Sequence, residues 1–239
     1  MNKRVLISGG SRGIGAACVS KFVSQGDKVC FIYKSSEAQA VKLQTETGAH
    51  AICADISFSN DVANAVNEAV ALMGGIDILI NNAGISQIKL FTDISDDDWN
   101  KMISTNLSGA FYLCRAVAPY MINQKYGRII NIGSIWGRVG ASCEVSYSAA
   151  KAGLEGLTLS LSKELGLSGI TVNCVEPGVI DTDMNKALDT ETFSDLCSQT
   201  SLGRIGKPCE VAATVAFLAG DDSAFITGQI IGVNGGFIG

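Results

Sequence analysis

Apolar and polar positions fall in blocks along the chain, and their period switches from one block to the next. Arg4-Val5-Leu6-Ile7-Ser8 is a short, mostly apolar and β-branched run, the pattern of a buried strand. After a glycine-rich stretch, Ala16, Ala17, Val19, Phe22 and Val23 recur at helical spacing. Strand patterns return at 28–33 and 50–53, with a polar helix over 37–47 between them. Val62, Ala65, Val66, Ala69, Val70 and Met73 make a regular helical stripe, and Asp77-Ile78-Leu79-Ile80 a fourth strand. Ser95 with Asp96, Asp97 and Asp98 supplies an N-cap and first-turn acids for a long helix. Pro119 is expected to end or kink that helix. Residues 127–132 read as strand five, Ser146 as the cap of the next helix, 170–175 as strand six and 229–233 as strand seven.

Strands alternating with helices argue for an α/β fold: a Rossmann-type, doubly wound sheet of seven mostly parallel strands with helices on both faces. No Pro/Ser-rich linker, charge block or repeat divides the 239 residues, so 1–239 reads as one domain. In such sheets ligands bind outside the carboxyl ends of the strands. Gly9 to Gly15 follow strand one, Asp55 strand three, Asn81 to Gly84 strand four, Ser134 strand five and Pro177-Gly178 strand six. Independent motifs thus converge on one edge.

Composition narrows the classes. Hydrophobic residues make up 47% of the chain, enough for a sizeable core. A net charge of −5 without a basic tract argues against a nucleic-acid partner. No apolar run approaches the length of a membrane span, and the one after Met1-Asn2-Lys3-Arg4 is too short for a signal-peptide core. The 8 cysteines are dispersed without a C-x-x-C pair and His50 is the single histidine, so no metal site is expected. Such cysteines suit a reduced, cytoplasmic setting.

The candidate chemistry starts with Gly9-Gly10-Ser11-Arg12-Gly13-Ile14-Gly15, set between a strand and a helix. Glycine lets a backbone approach a pyrophosphate, and a helix N-terminus presents free N–H groups to the anion. Tyr147 and Lys151 stand one helical turn apart and share a face. A phenol rarely ionises at neutral pH, and a neighbouring ammonium is expected to bring it toward proton exchange. Alone, such a pair is more often a packed ring beside a solvated amine; the other motifs decide.

Ser8-Gly9-x-x-x-Gly13-Ile14-Gly15, Asn81-Asn82-Ala83-Gly84, Asn106, Ser134, Tyr147-x-x-x-Lys151, Pro177-Gly178 and Val233-Asn234-Gly235-Gly236 stand in this order. Together, over essentially the whole chain, they resemble the short-chain dehydrogenase/reductase family. Gly127-Arg128-Ile129-Ile130-Asn131-Ile132 and Ile226-Thr227-Gly228-Gln229 resemble its 3-oxoacyl-acyl carrier protein reductases in particular. The resemblance implies reduction of a 3-oxoacyl thioester to the 3-hydroxyacyl thioester in fatty acid synthesis. It assigns Tyr147 as proton donor, Ser134 as the hydrogen bond to the substrate oxygen, and Lys151 as the group that tunes the tyrosine and holds the ribose. Asn106 would anchor a water behind Lys151.

The resemblance places Gly9, Ser11, Arg12, Gly13, Ile14 and Gly15 at the cofactor phosphates, and Asp55 and Ile56 at the adenine. Asn82, Ala83 and Gly84 would line the adenosine side, and Pro177, Gly178, Ile180 and Thr182 the nicotinamide. An acid after strand two would favour NAD, whereas Tyr33, Lys34 and Ser35 stand there instead, with Arg12 in reach, and this favours NADP(H). Trp136 and Glu144 would join Ser134 and Tyr147 at the substrate, under a mobile lid at about 182–202. The implied partners are an acyl carrier protein or acyl-CoA, with Arg128 and Lys125 as basic docking residues, and a homotetramer built on the long helices. A dehydrogenase of another secondary alcohol, ketone or polyol, and a nucleotide-binding redox sensor, are the alternatives.

Overall fold

The computed structural model describes residues 2–183 and 190–237. Its seven strands are β1 (Arg4–Ser8), β2 (Lys28–Tyr33), β3 (His50–Cys53), β4 (Ile78–Asn81), β5 (Gly127–Ile132), β6 (Ile170–Pro177) and β7 (Ile230–Val233). They form one sheet in the order β3-β2-β1-β4-β5-β6-β7, and every pairing is parallel. The connections run outward from β1 to β3, and then start again from β4 toward β7. The strand order therefore reverses between β1 and β4, and a crevice opens at their carboxyl ends.

Parallel strands need crossovers, and the helices supply them. α1 (Gly13–Ser24), α2 (Glu37–Thr47) and α3 (Ser59–Met73) follow the first three strands. α4 (Asp96–Ile103) and α5 (Gly109–Gln124) follow β4, α6 (Ile135–Val139) and α7 (Val145–Leu165) follow β5, and α8 (Thr190–Ser198) and α9 (Pro208–Ala219) follow β6. Side chains alternate across the sheet, so Val5 and Ile7 of β1 join Cys18, Phe22, Val211 and Val215 of α1 and α9. Leu6 points the other way, among Val62, Val66, Leu113 and Val117 of α3 and α5. Two apolar layers sandwich the sheet.

Three local expectations are corrected. α5 runs through Pro119 to Gln124, so the proline does not end it: Pro119 is exposed on the outer side of the helix, where the carbonyl it leaves free faces water. Glu144, not Ser146, takes the N-cap position of α7, and Ser146 is buried in the first turn. Between α4 and α5 the chain makes a π-helical turn at Ser104–Ser108, so the expected single long helix changes pitch at Asn106. The Ser95 N-cap and the first-turn acids of α4 are as expected, and Ser95 and Asp98 also bond each other's backbone N–H in a capping box.

Candidate functional site

A cavity of about 490 Å³ opens along the carboxyl edge of the sheet. Gly9, Ser11, Arg12, Gly13 and Ile14 form its first wall, and Tyr33, Lys34, Ser35, Asp55 and Ile56 one end. Asn82, Ala83 and Gly84 lie along the middle, and Ser134, Tyr147, Lys151, Pro177, Gly178, Ile180 and Thr182 close the other end. The structure thus brings together residues from position 9 to position 182.

The glycine loop fits against the rest without room for side chains. A Cβ on Gly15 would lie 2.1 Å from the Gly9 carbonyl, and one on Gly9 would lie 2.7 Å from the Ala83 Cα. Gly9 and Gly13 also have positive φ angles, 65° and 55°. Gly15 does not line the cavity: it is buried, and its part is to let the loop close on Asn82. The Asn82 amide donates to the carbonyls of Ser8 (3.1 Å) and Gly9 (2.9 Å), while the Ser8 hydroxyl accepts from the N–H groups of Asn82 and Ala83. This stitches the ends of β1 and β4 across the crevice. Ser8 was missed as a supporting residue, although its place at the end of β1 was visible.

At the outer end, Lys34 and Asp55 form an ion pair at 2.5 Å. The Asp55 carboxyl also accepts from the N–H and hydroxyl of Ser57. Partial burial raises its pKa, but Lys34 and Ser57 together hold it below the ordinary carboxylate range. Arg12 takes the N-cap position of α1 and is exposed. Two cations therefore stand at one rim of the cavity, and one of them is already engaged.

At the inner end, Ser134 caps α6 by accepting from the N–H of Trp136, and its hydroxyl is within hydrogen-bonding contact of the Tyr147 phenol. Tyr147 is 9% exposed and Lys151 4%. The Lys151 ammonium donates to the Ile132 carbonyl at 2.7 Å and lies 5.6 Å from the centre of the Tyr147 ring, above its face. This position corrects the expected electrostatics. Burial pushes the phenol up to about 12, the Ser134 hydrogen bond opposes the change, and the Glu144 carboxylate adds to it. Lys151 sits over the ring, and its own burial lowers it to about 8. The phenol is thus held protonated at neutral pH.

Asn106 lies behind the cavity wall. Its carboxamide accepts from the Ile85 N–H and donates to the Ile85 carbonyl, both at 2.8 Å. The π-turn that carries it aims this side chain inward. A Cβ on Gly84 would come within 2.9 Å of the Asn106 carbonyl and 3.7 Å of the Lys151 ammonium, so Gly84 preserves the gap between them. Trp136 and Glu144 do not line the cavity: Trp136 packs edge-on against Phe237 at 5.3 Å, and Glu144 acts on Tyr147 by charge. Arg128 and Lys125 are displaced further. They stand at the opposite end of β5, where Arg128 is buried against Tyr126 and pairs with Asp221. Residues 184–189 of the expected lid lie outside the described residues.

The glycine cradle fits a dinucleotide, and the buried hydroxyl, phenol and ammonium fit proton transfer to an oxygen. A family model described as enoyl-(acyl carrier protein) reductase matches residues 9–238. The 3-oxoacyl-acyl-carrier-protein reductase FabG of Escherichia coli is 40% identical over 235 residues, 98% of this chain and 96% of that protein. Its namesake in Staphylococcus aureus is 39% identical over 241 residues, 99% of this chain and 98% of that protein. The solved structure of a Serratia marcescens short-chain dehydrogenase/reductase double mutant superposes with a TM-score of 0.93 at 36% identity, covering 98% of this chain and 97% of that one. The chain belongs to the short-chain dehydrogenase/reductase family, oxidoreductases that work with a nicotinamide cofactor.

Proposed function

We propose that the protein reduces a 3-oxoacyl thioester to the 3-hydroxyacyl thioester in fatty acid synthesis, with NADPH as the reductant. The observation that carries this reading is a phenol kept protonated, in contact with a serine hydroxyl, at the closed end of a dinucleotide-sized cavity. Two donors aimed at one point suit a carbonyl oxygen that gains negative charge. The relatives named 3-oxoacyl-acyl-carrier-protein reductase support the choice of a ketone over a carbon–carbon double bond.

The bound cofactor supplies the hydride. Ser134 hydrogen-bonds the substrate oxygen, and Tyr147 gives it a proton as charge develops there. Lys151 holds the ribose hydroxyls and stabilises the phenolate that remains until it is reprotonated. A water between Asn106 and Lys151, beside Gly84, would return a proton to the tyrosine along that path. A protonated phenol is the form needed for reduction, whereas alcohol oxidation needs the phenolate, and this favours the reductive direction.

Arg12 and Lys34 favour NADPH over NADH, because a 2′-phosphate attracts both cations and draws Lys34 from Asp55. The segment at about 182–202 serves as the substrate lid, and we place the protein in the cytoplasm. Among the described residues no helix is long and apolar enough to cross a membrane. The protein assembles as a homotetramer. A groove on the outer side of α5 and α7, lined by Leu107, Phe111, Tyr112, Gly153, Gly156 and Leu157, supports one interface. Phe111 is exposed there and the two glycines allow close approach of a second copy. Exposed Phe217 and Phe225 near β7 support another.

The test is consumption of NADPH with acetoacetyl-acyl carrier protein and with acetoacetyl-CoA, set against oxidation of a sugar-alcohol panel with NAD⁺ or NADP⁺. Turnover of the thioesters is expected. Turnover of the alcohols alone would replace the reductase by a polyol dehydrogenase, and turnover of nothing despite NADPH binding would favour a redox sensor.

A further inference from the structure

We propose that Glu155 and Glu176 form a proton-bridged carboxyl pair that holds the Ser134 segment against the helix of Tyr147 and Lys151, as positioning residues for the active centre. The proposal rests on the reading of those three residues as the reacting groups. Tyr147, Lys151 and Glu155 follow one another at four-residue intervals on α7, so Glu155 continues their stripe by one turn. Glu176 comes from β6, immediately before Pro177, and is 0% exposed. Neither of its carboxyl oxygens has a hydrogen-bond donor from the described protein, and the same holds for the buried Oε1 of Glu155. The two side chains lie within hydrogen-bonding contact of each other. Two ionised carboxylates this close and this dry repel; one proton shared between them gives an oxygen on each a partner.

α6 closes the third side. The Arg138 guanidinium stands 3.9 Å from Glu176 Oε2 and is itself 66% exposed. Gly137 lies so near that a Cβ there would come 2.8 Å from Glu155 Oε1 and 3.0 Å from the Ala152 N–H nitrogen. On the β5–α6 segment, a Cβ on Gly133 would lie 2.7 Å from Cys174 Sγ and 3.5 Å from Glu176 Cγ. The pair therefore touches the three elements that carry Ser134, Tyr147 with Lys151, and Pro177 with Gly178.

The charged and titratable groups facing it are Arg138 from α6 and Cys174 from β6, with Lys151 of α7 beyond the Cys174 thiol. Burial pushes Cys174 up to about 12, so this thiol stays neutral. Burial, the hydrogen bond Glu155 donates to Glu176 and the Glu176 charge raise Glu155 to about 7, against the opposing pull of Arg138. Glu155 binds its proton more tightly folded than unfolded, so stability from the pair falls as pH rises from the ordinary glutamate range through about 7. Above that, the carboxylates repel, Arg138 draws Glu176 outward, and Ser134 loses its register with Tyr147.

Infrared difference spectra of the cofactor-free protein between about pH 6 and about pH 8.5 are expected to lose a protonated-carboxyl band that Glu155→Gln lacks. The glutamine amide donates to Glu176 at every pH. Glu155→Gln is therefore expected to lose roughly fivefold less kcat than the parent across that interval, while Glu155→Ala stays low at both ends. Lys151 titrates nearby in all three proteins, so the difference between profiles isolates the pair. A parent without that infrared band, a Gln variant with the parental profile, or an Ala variant matching Gln would overturn the proposal. The infrared result needs no substrate: a titrating band in a protein that reduces no ketone keeps the pair and removes the reductase reading.

Discussion

The two ends of the cavity are built on opposite principles. At the inner end the groups are buried (Ser134, Tyr147, Lys151, Asn106), and burial has displaced both titrating side chains from their ordinary values. At the outer end Arg12 is exposed and the Lys34 side chain is 62% exposed, and partial burial of its partner Asp55 is outweighed by the ion pair and a serine. Desolvation governs the first region and charge, open to solvent and screened by salt, the second. Residues at the inner end should therefore control rate and pH dependence, and those at the outer end affinity, cofactor choice and response to salt.

The sharpest way to break this contrast is Tyr147→Phe. Loss of the proton donor is expected to lower kcat about 1,000-fold, with NADPH binding measured by fluorescence changed less than about threefold. A parental rate would remove Tyr147 from the chemistry. The mirror-image test is Arg12→Ala with Lys34→Ala, expected to raise the NADPH KM about 100-fold with kcat held and the NADH KM little changed. Equal effects on both cofactors would end the 2′-phosphate assignment.

Smaller effects refine the same division. Raising sodium chloride from about 20 mM to about 500 mM should raise the NADPH KM several-fold and leave kcat within about a factor of two. Glu144→Gln removes a carboxylate that raises the phenol pKa, so reduction should begin to fail at a lower pH than in the parent, read from the alkaline limb of kcat. An unmoved limb would show that the carboxylate does not act on the phenol. Lys151→Met removes the buried ammonium together with its bond to the Ile132 carbonyl, and the pH dependence separates the two. The folded value of about 8 lies below the ordinary 10.5, so the folded state binds fewer protons between these values and parental stability rises with pH there. The cofactor-free methionine variant should melt a few degrees above the parent near neutrality, with the gap closing as pH rises through that window. An unchanging gap would mean that the ammonium costs nothing to bury.

Much of the fold is written in local periodicity. The bounds of β1, β2, β3 and β5 and of α2 coincide with the runs read from the chain, because each is a short apolar block with polar or glycine punctuation. α9 went unread despite Pro208 at its start, since it is apolar nearly all round and offers no stripe. The π-turn at Asn106 leaves no mark in the pattern, as one extra residue per turn still resembles a helix. The wall of the cavity formed by Gly9 to Ile14, Tyr33 to Ser35, Asp55 and Asn82 to Gly84 was legible because each of these motifs follows a strand. The direction of the Tyr147 shift was not, since four-residue spacing says that two side chains share a face but not that the ammonium bonds the Ile132 carbonyl. Glu176 was equally hidden: in the line of residues it is one polar letter in an apolar strand, and only the third dimension sets Glu155 against it.

The all-parallel sheet also dictates when a growing polypeptide can become competent. The first 53 residues already contain three adjacent strands, so that half of the sheet can assemble early during synthesis. The half that packs against Tyr147 and Lys151 must wait for β6, whose residues 170–177 bring Glu176 and Pro177. A nascent chain released before that point would carry the glycine loop without the far wall of its cavity.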